Sequence, residues 1–181
     1  MGILIAAVVL LTALTLFNLM LTLAIVRRLR TAAGPGRSAP RTPDLDEVPS
    51  GASVPHFTAQ SVTGAPVSSA GQRGDRAVYA FFDTGCGVCE HQLQPLVDFA
   101  RRAGLTPEQV IVFIGDDEGE AERYVSVVEG HTTVVMQAVH EEAGRAFALH
   151  GVPAFVLADA DGTVLRSSVE VKDLEPAFAG A

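Results

Sequence analysis

Thirteen residues, Ala77 to Cys89, constrain this chain more than any other stretch of it. They open with an apolar run, Ala77-Val78-Tyr79-Ala80-Phe81-Phe82, and close on Cys86-Gly87-Val88-Cys89, which holds the only two cysteines among 181 residues. The run reads as a buried strand. A strand that delivers a C-x-x-C to the first turn of a helix is a redox arrangement, for an electrostatic reason. Unpaired backbone N–H groups and the positive end of the helix dipole favour a thiolate at Cys86, and the thiolate is the nucleophile. Two intervening residues then let Cys89 attack a mixed disulfide formed by Cys86. Two cysteines cannot build a disulfide framework, so a structural staple does not explain them.

The placement of charge excludes one class of partner. Arg27, Arg28, Arg30, Arg37 and Arg41 precede every acidic residue, so residues 42–181 carry all 21 acids against only eight of the 13 bases. An acidic domain of this kind is a poor ligand for nucleic acid. Its charge serves solubility and by itself implies no basic partner.

Three regions follow one another along the chain. Ile3 to Val26 runs for 24 positions without a charged residue, long enough to cross the hydrocarbon core of a bilayer as a helix. A cleaved signal peptide fits less well: Met1-Gly2 supplies no basic segment, and Arg27-Arg28 stand where a small-residue cleavage site would be. Residues 1–28 are therefore expected to be a single transmembrane anchor. Residues 29–52 read as a flexible linker, broken by Gly34-Pro35-Gly36, Pro40, Pro43 and Pro49-Ser50-Gly51. Residues 53–181 read as the folded domain.

Within that domain, Val54–Phe57 and Val62–Val67, around Gly64, suggest a short hairpin or edge strands. Gly87 to Ala103 has Leu93, Leu96, Val97 and Ala100 at helical spacing, with Gly104 as its stop. Val110–Ile114 is a second buried strand. Helices are expected over 118–129 and 141–149, with a short strand at 132–136 between them. Ala154–Ala158 and Thr163–Arg166 read as strands joined across Asp159-Ala160-Asp161-Gly162. A short terminal helix follows from Val171. Strands that alternate with helices and then close in a hairpin make an α/β three-layer domain.

These motifs together resemble the thioredoxin fold. More narrowly, the chain resembles the membrane-anchored TlpA/ResA family of thiol–disulfide oxidoreductases, including its MauD-like members. Phe82-Asp83-Thr84-Gly85-Cys86-Gly87-Val88-Cys89 stands where that family has its strand end and active-site pair. Phe147-Ala148-Leu149-His150-Gly151-Val152-Pro153 matches the approach to its cis-proline loop. Leu157 to Val164 matches its D-x-x-G hairpin, and Val54-Pro55-His56-Phe57 with Gly64 matches its N-terminal extension. The resemblance covers roughly residues 50–170. It implies a thioredoxin-like three-layer sandwich with a central mixed sheet, preceded by one transmembrane helix. It also implies Cys86 as nucleophile, Cys89 as buried resolving thiol, and Pro153 in cis, with Val152 and Pro153 shaping the substrate groove.

The chain departs from the family at four places, one of them Gly87-Val88, which lacks the stiffening proline common between the cysteines of reductants. Gly85 stands where an aromatic residue usually precedes the first cysteine, and Pro95 falls one position later than the common helix proline. Ala80 replaces the buried acid of thioredoxin, which leaves Asp83 and Glu90 as the nearest carboxylates in sequence.

Other readings of the pair are weaker. Zinc takes four ligands, no second C-x-x-C exists, and the histidines share no spacing, so no metal is expected. His91 stands two past Cys89, which breaks the C-x-x-C-H haem-attachment pattern. Asp116, Asp117 and Glu118 follow a strand and suit the cap of the next helix. A binding module that responds to redox state without turnover, or a metal carrier, stays as the alternative. No cofactor is expected beyond the Cys86–Cys89 disulfide. Expected partners are protein thiols and disulfides, an upstream redox protein, and the membrane through Ile3–Val26. Arg27, Arg28 and Arg30 would draw the adjoining chain to the cytoplasmic face. Persistence of protein disulfides, together with the resemblance, favours the extracytoplasmic face. The second argument prevails, and the expected location is a single-pass membrane protein with its redox domain outside the cytoplasm.

Overall fold

The apolar run at the centre of the sequence is the central strand of the protein. In a computed structural model that describes Met1, Gly2, Ile5, 10–12, 14–15, 18–20, 48–69, 75–116 and 119–179, residues Arg76–Asp83 form a strand buried almost throughout. The chain divides into two compact units, 1–42 and 43–181. In the second, the elements run β1 (Thr58–Gln60), β2 (Pro66–Ser68), β3 (Arg76–Asp83), α1 (Glu90–Ala103), β4 (Val110–Gly115), α2 (Ala121–Val128), β5 (Thr133–Met136), α3 (Glu142–Ala146), β6 (Ala154–Asp159), β7 (Val164–Ser168) and α4 (Glu175–Ala179). One-turn 3-10 segments at Pro107–Gln109 and Val171–Leu174 precede β4 and α4.

β3 pairs in parallel with β4, and β4 with β5, through the crossovers α1 and α2. On its other side β3 pairs antiparallel with β6, and β6 with β7. The five-stranded order β5-β4-β3-β6-β7 is the mixed sheet of a thioredoxin-like α/β fold. Because side chains alternate along a strand, the central strands feed two cores. Val78, Ala80 and Phe82 of β3 join Val112, Ile114, Phe155 and Leu157 under α1, α2 and the 171–174 turn. Ala77, Tyr79 and Phe81 join Phe113 and Val156 on the opposite face, under Phe57, Ala143 and Phe147.

The second face is aromatic. Phe81 stacks on Phe113 with centroids 4.6 Å apart and planes at 9°, and Tyr79 lies 5.1 Å from Phe147. Phe57, fully buried, meets Tyr79, Phe113 and Phe147 at 5.5–6.0 Å. It belongs to a strap that reaches both edges of the sheet. Residues 51–54 bond to the start of β7 through Gly51 N–H to Val164 O (2.7 Å), Val164 N–H to Ala52 O (2.8 Å) and Val54 N–H to Gly162 O (2.7 Å). Ser61 bridges Val135, and Val62 N–H donates to Val134 O (2.9 Å) on β5. Main-chain groups at both edges are thereby partly satisfied by the strap.

Several expected boundaries move. The hairpin strands fall at 58–60 and 66–68 rather than 54–57 and 62–67, because Phe57 is drawn into the core and Ser61–Ala65 form the turn around Gly64 (φ 82°). The first helix becomes regular at Glu90 rather than Gly87, and ends at Gly104 in the left-handed conformation (φ 67°) with Pro95 inside it. The second helix begins at Ala121, after Asp116 Oδ1 accepts the N–H groups of Glu120 (2.8 Å) and Ala121 (3.0 Å). The third stops at Ala146, since Ala148 takes a left-handed φ of 55°.

Most of the expected anchor Ile3–Val26, and linker residues 29–47, lie outside the described residues. The described positions of the N-terminal unit from Gly2 to Met20 are helical, and Thr15 Oγ1 donates to Leu11 O (2.8 Å). Among the described residues no helix is long and apolar enough to cross a membrane.

Candidate active site

The site lies where β3 runs out. Asp83 is the last strand residue, and the turn after it is pinned by main-chain bonds from Cys86 N–H to Asp83 O (3.1 Å) and from Cys89 N–H to Cys86 O (3.0 Å). Gln92 N–H then takes Cys89 O (3.0 Å), and the helix proper has begun. The C-x-x-C therefore occupies the turn that leads into α1, with Cys89 at its N-cap. Cys86 and Cys89 are joined in a disulfide, Cα to Cα 5.4 Å. Their environments differ. Cys89 is fully buried against the α1 core, while Cys86 is half-buried, flanked by exposed Gly85, Gly87 and Val88. A partner sulfur can reach only Cys86.

The loop after α3 closes the other side. The Val152–Pro153 peptide is cis, Pro153 is buried, and the Val152 carbonyl oxygen stands 3.5 Å from Cys86 Sγ. The fold thus brings the four residues singled out in the sequence to one place, although they come from segments more than sixty positions apart.

A family model described as Redoxin matches residues 49–181. The chain belongs to the Redoxin family. No curated protein sequence matches it significantly. Solved structures similar to this redoxin include a secreted disulfide oxidoreductase of Mycobacterium tuberculosis homologous to E. coli DsbE. That structure is 23% identical, with TM-score 0.57, over 69% of this chain and 96% of the other. A putative thiol:disulfide interchange protein DsbE from Chlorobium tepidum is 21% identical (TM-score 0.58, 73% and 96% covered). The thioredoxin domain of a thiol-disulfide oxidoreductase from Bacteroides vulgatus is 17% identical (TM-score 0.58, 72% and 96% covered). At these identities the likeness speaks for the thioredoxin-like fold. The family agrees with the enzyme class expected from the sequence, a thiol–disulfide oxidoreductase.

Around this redoxin's disulfide lies a polar network that sequence reasoning did not assemble. Asp83 Oδ1 accepts Gly85 N–H (2.9 Å), and Thr84 N–H donates to Gly115 O (3.0 Å). Thr84 Oγ1 donates to Asp116 Oδ1 (3.2 Å), the oxygen that also caps α2. Asp116 is thus a helix cap and a brace for the active-site turn at once. Glu90, next to Cys89, is 3.5 Å from Arg123, which also pairs with Glu120 at 2.8 Å; all three are about half exposed. Exposed pairs of this kind add little stability. Burial pushes the Tyr124 phenol up, with smaller upward contributions from the Glu90 and Asp83 charges against the opposing effect of Arg123. The sequence offers Asp116 as a helix cap and Asp83 and Glu90 as the nearest carboxylates, but not the Thr84–Asp116 bond that ties the cap to the active-site turn.

All five histidines are exposed. Among the described residues no group of three or more His, Cys, Asp or Glu side chains is placed to hold a metal ion.

Proposed function

We propose that the protein is a membrane-tethered thiol–disulfide oxidoreductase of the TlpA/ResA type, which exchanges disulfides with extracytoplasmic proteins through Cys86 and Cys89. The observation that carries this reading is the asymmetry of the pair: a reachable Cys86 bonded to a wholly buried Cys89, beside the Val152–Pro153 loop.

In the reducing direction the Cys86 thiolate attacks one sulfur of a partner disulfide. A Cys86–partner disulfide forms, and the partner's other sulfur leaves as a thiolate and takes up a proton. Cys89 loses its proton and attacks Cys86 Sγ; the mixed disulfide breaks, the Cys86–Cys89 bond forms, and the second partner sulfur leaves and is protonated. Two electrons and two protons pass to the partner, and an upstream redox protein restores the dithiol. In the oxidising direction the same steps run backwards. The backbone of Val152 offers an extended partner segment a hydrogen-bonding edge, with Pro153 setting its path. Tethering rests on the uncharged stretch Ile3–Val26, and the extracytoplasmic placement on the persistence of disulfides there.

The test is a trap. A Cys89→Ala variant of the full chain, expressed in its own membrane, is expected to accumulate reductant-sensitive mixed disulfides that vanish in a Cys86→Ala/Cys89→Ala double variant. If no adducts form, and the unaltered protein neither reduces nor oxidises a model protein disulfide, the enzyme reading is lost and a redox-responsive binding module replaces it.

A further inference from the structure

Ala80, which shares a core cluster with the buried Cys89, brings no charge to it. The structure leaves two carboxylates beside the pair, and they differ. Glu90 is half exposed and held by Arg123, so its field is both screened and partly neutralised. Asp83 is half-buried at the start of the active-site turn, and no cation pairs with it among the described ion pairs. Its Oδ1 accepts Gly85 N–H (2.9 Å), one residue before Cys86, and its backbone oxygen accepts Cys86 N–H (3.1 Å). Its Oδ2 lies against Gly115: a Cβ built there would overlap that oxygen and stand 3.1 Å from Ala138. Glycine at 115 is therefore what lets the carboxylate sit where it does. Among the described residues, the other charged and titratable groups around it include Asp116, capping α2, Glu141, whose Oε2 accepts Ala138 N–H (2.9 Å), the Glu120–Arg123–Glu90 surface chain, and the Tyr124 phenol.

We infer that Asp83, seated against Gly115, is a positioning residue that sets the redox balance of the Cys86–Cys89 pair by opposing a thiolate at Cys86, biasing the protein towards the reducing direction. This rests on the thiol–disulfide reading above and specifies its direction. A negative charge near a thiol disfavours its ionised form, against the favourable pull of the α1 N-terminus. Above the Cys86 midpoint the disulfide takes up two electrons and one proton and yields the Cys86 thiolate and the Cys89 thiol; below it, two electrons and two protons yield two thiols. Whatever destabilises a thiolate in the product destabilises the reduced protein and makes it the better electron donor.

Asp83→Asn separates charge from shape, because the amide oxygen can still accept Gly85 N–H. On the full-length protein, the pH dependence of Cys86 alkylation gives the thiolate midpoint, and equilibration with glutathione buffers gives the redox balance. In Asp83→Asn the midpoint is expected to fall by about one unit. At a pH above both midpoints the glutathione equilibrium is expected to shift towards the reduced form by about tenfold, which is about 30 mV. Gly115→Ala keeps the charge but displaces it, and is expected to move both readouts in the same direction by a smaller factor. If both readouts stay unchanged in both variants, the role assigned to Asp83 is overturned and its bond to Gly85 is only a turn contact. Alkylation reports on Cys86 without any partner exchange, so a failure of the oxidoreductase reading itself would show separately, as absence of exchange with glutathione in the unaltered protein.

Discussion

The two faces of the sheet are built from the same strands and have opposite characters. Under α1 and α2 the packing is largely aliphatic, and one member of the core is a sulfur that must break and re-form a bond, Cys89. On the other face Phe57, Tyr79, Phe81, Phe113 and Phe147 lock together beneath the strap and α3. Large rings supply much of the buried area in a core, and their edge-to-face contacts add to it. The chemistry is thus carried on one side of the sheet, and the interlocked cluster of five rings lies on the other. A half-buried sulfur can meet a partner without the fold giving way, because the opposite core holds the strands in register.

If the aromatic face holds the strands, damage to it is severe. Its most sensitive point is Gly144 in α3, where a Cβ would overlap the carbonyl oxygen of Val139, a backbone atom that cannot step aside. Gly144→Ala is expected to cost more than about 5 kcal/mol and leave little folded protein, read by circular dichroism and soluble yield. Phe57→Ala comes next, at about 3–5 kcal/mol in denaturant unfolding, while disulfide exchange per folded molecule stays near that of the unaltered protein. Equal losses of exchange and of stability would show that the faces are not independent.

Tyr79 sharpens the picture. Burial pushes its phenol well above its ordinary 10.0, and its hydroxyl is buried without a hydrogen-bond partner among the described residues. The unfolded chain releases that proton near pH 10 while the folded protein keeps it. Above pH 10 the folded state therefore binds more protons, and stability falls by about 1.4 kcal/mol per pH unit from this residue alone. Tyr79→Phe is expected to remove that part of the alkaline loss, and to be neutral or slightly stabilising at pH 7. Chemical denaturation at pH 7, 10 and 11 checks both. The smallest effect belongs to Ala148, whose left-handed φ of 55° suits glycine better. Ala148→Gly is expected to stabilise by about 0.5–1 kcal/mol in the same measurement.

What could be read from sequence was what local pattern encodes. The apolar runs at 77–82 and 110–114 gave the central strands within a residue or so, and Gly104 marked the end of α1. The D-x-x-G stretch gave the β6–β7 hairpin, where Asp159 Oδ1 accepts the N–H groups of Asp161 (3.0 Å) and Thr163 (2.8 Å). Helix starts were placed too early, because main-chain bonds hold Cys86 and Cys89 in a turn before α1, and the Asp116 carboxylate takes the N–H groups of Glu120 and Ala121 before α2 becomes regular. The strap was illegible for another reason. Residues 51–54 bond to 162–164, roughly 110 positions downstream, and residues 61–62 to β5, roughly 70 positions downstream, and nothing in their own sequence names those partners. The seat of Asp83 was hidden likewise, since it depends on a glycine in a neighbouring strand.

The strap also fixes where force enters the molecule. β6 runs antiparallel to β3, so the 160–163 turn lies at the end of the sheet opposite the one that carries the disulfide. Residues 51–54 are bonded at that turn. A pull on the segment ahead of Val48 is therefore first borne by main-chain bonds to β7 and by Ser167 Oγ on Val48 O (2.8 Å). Like a lamp hung by its base, the domain can be held at one end while Cys86 stays exposed at the other.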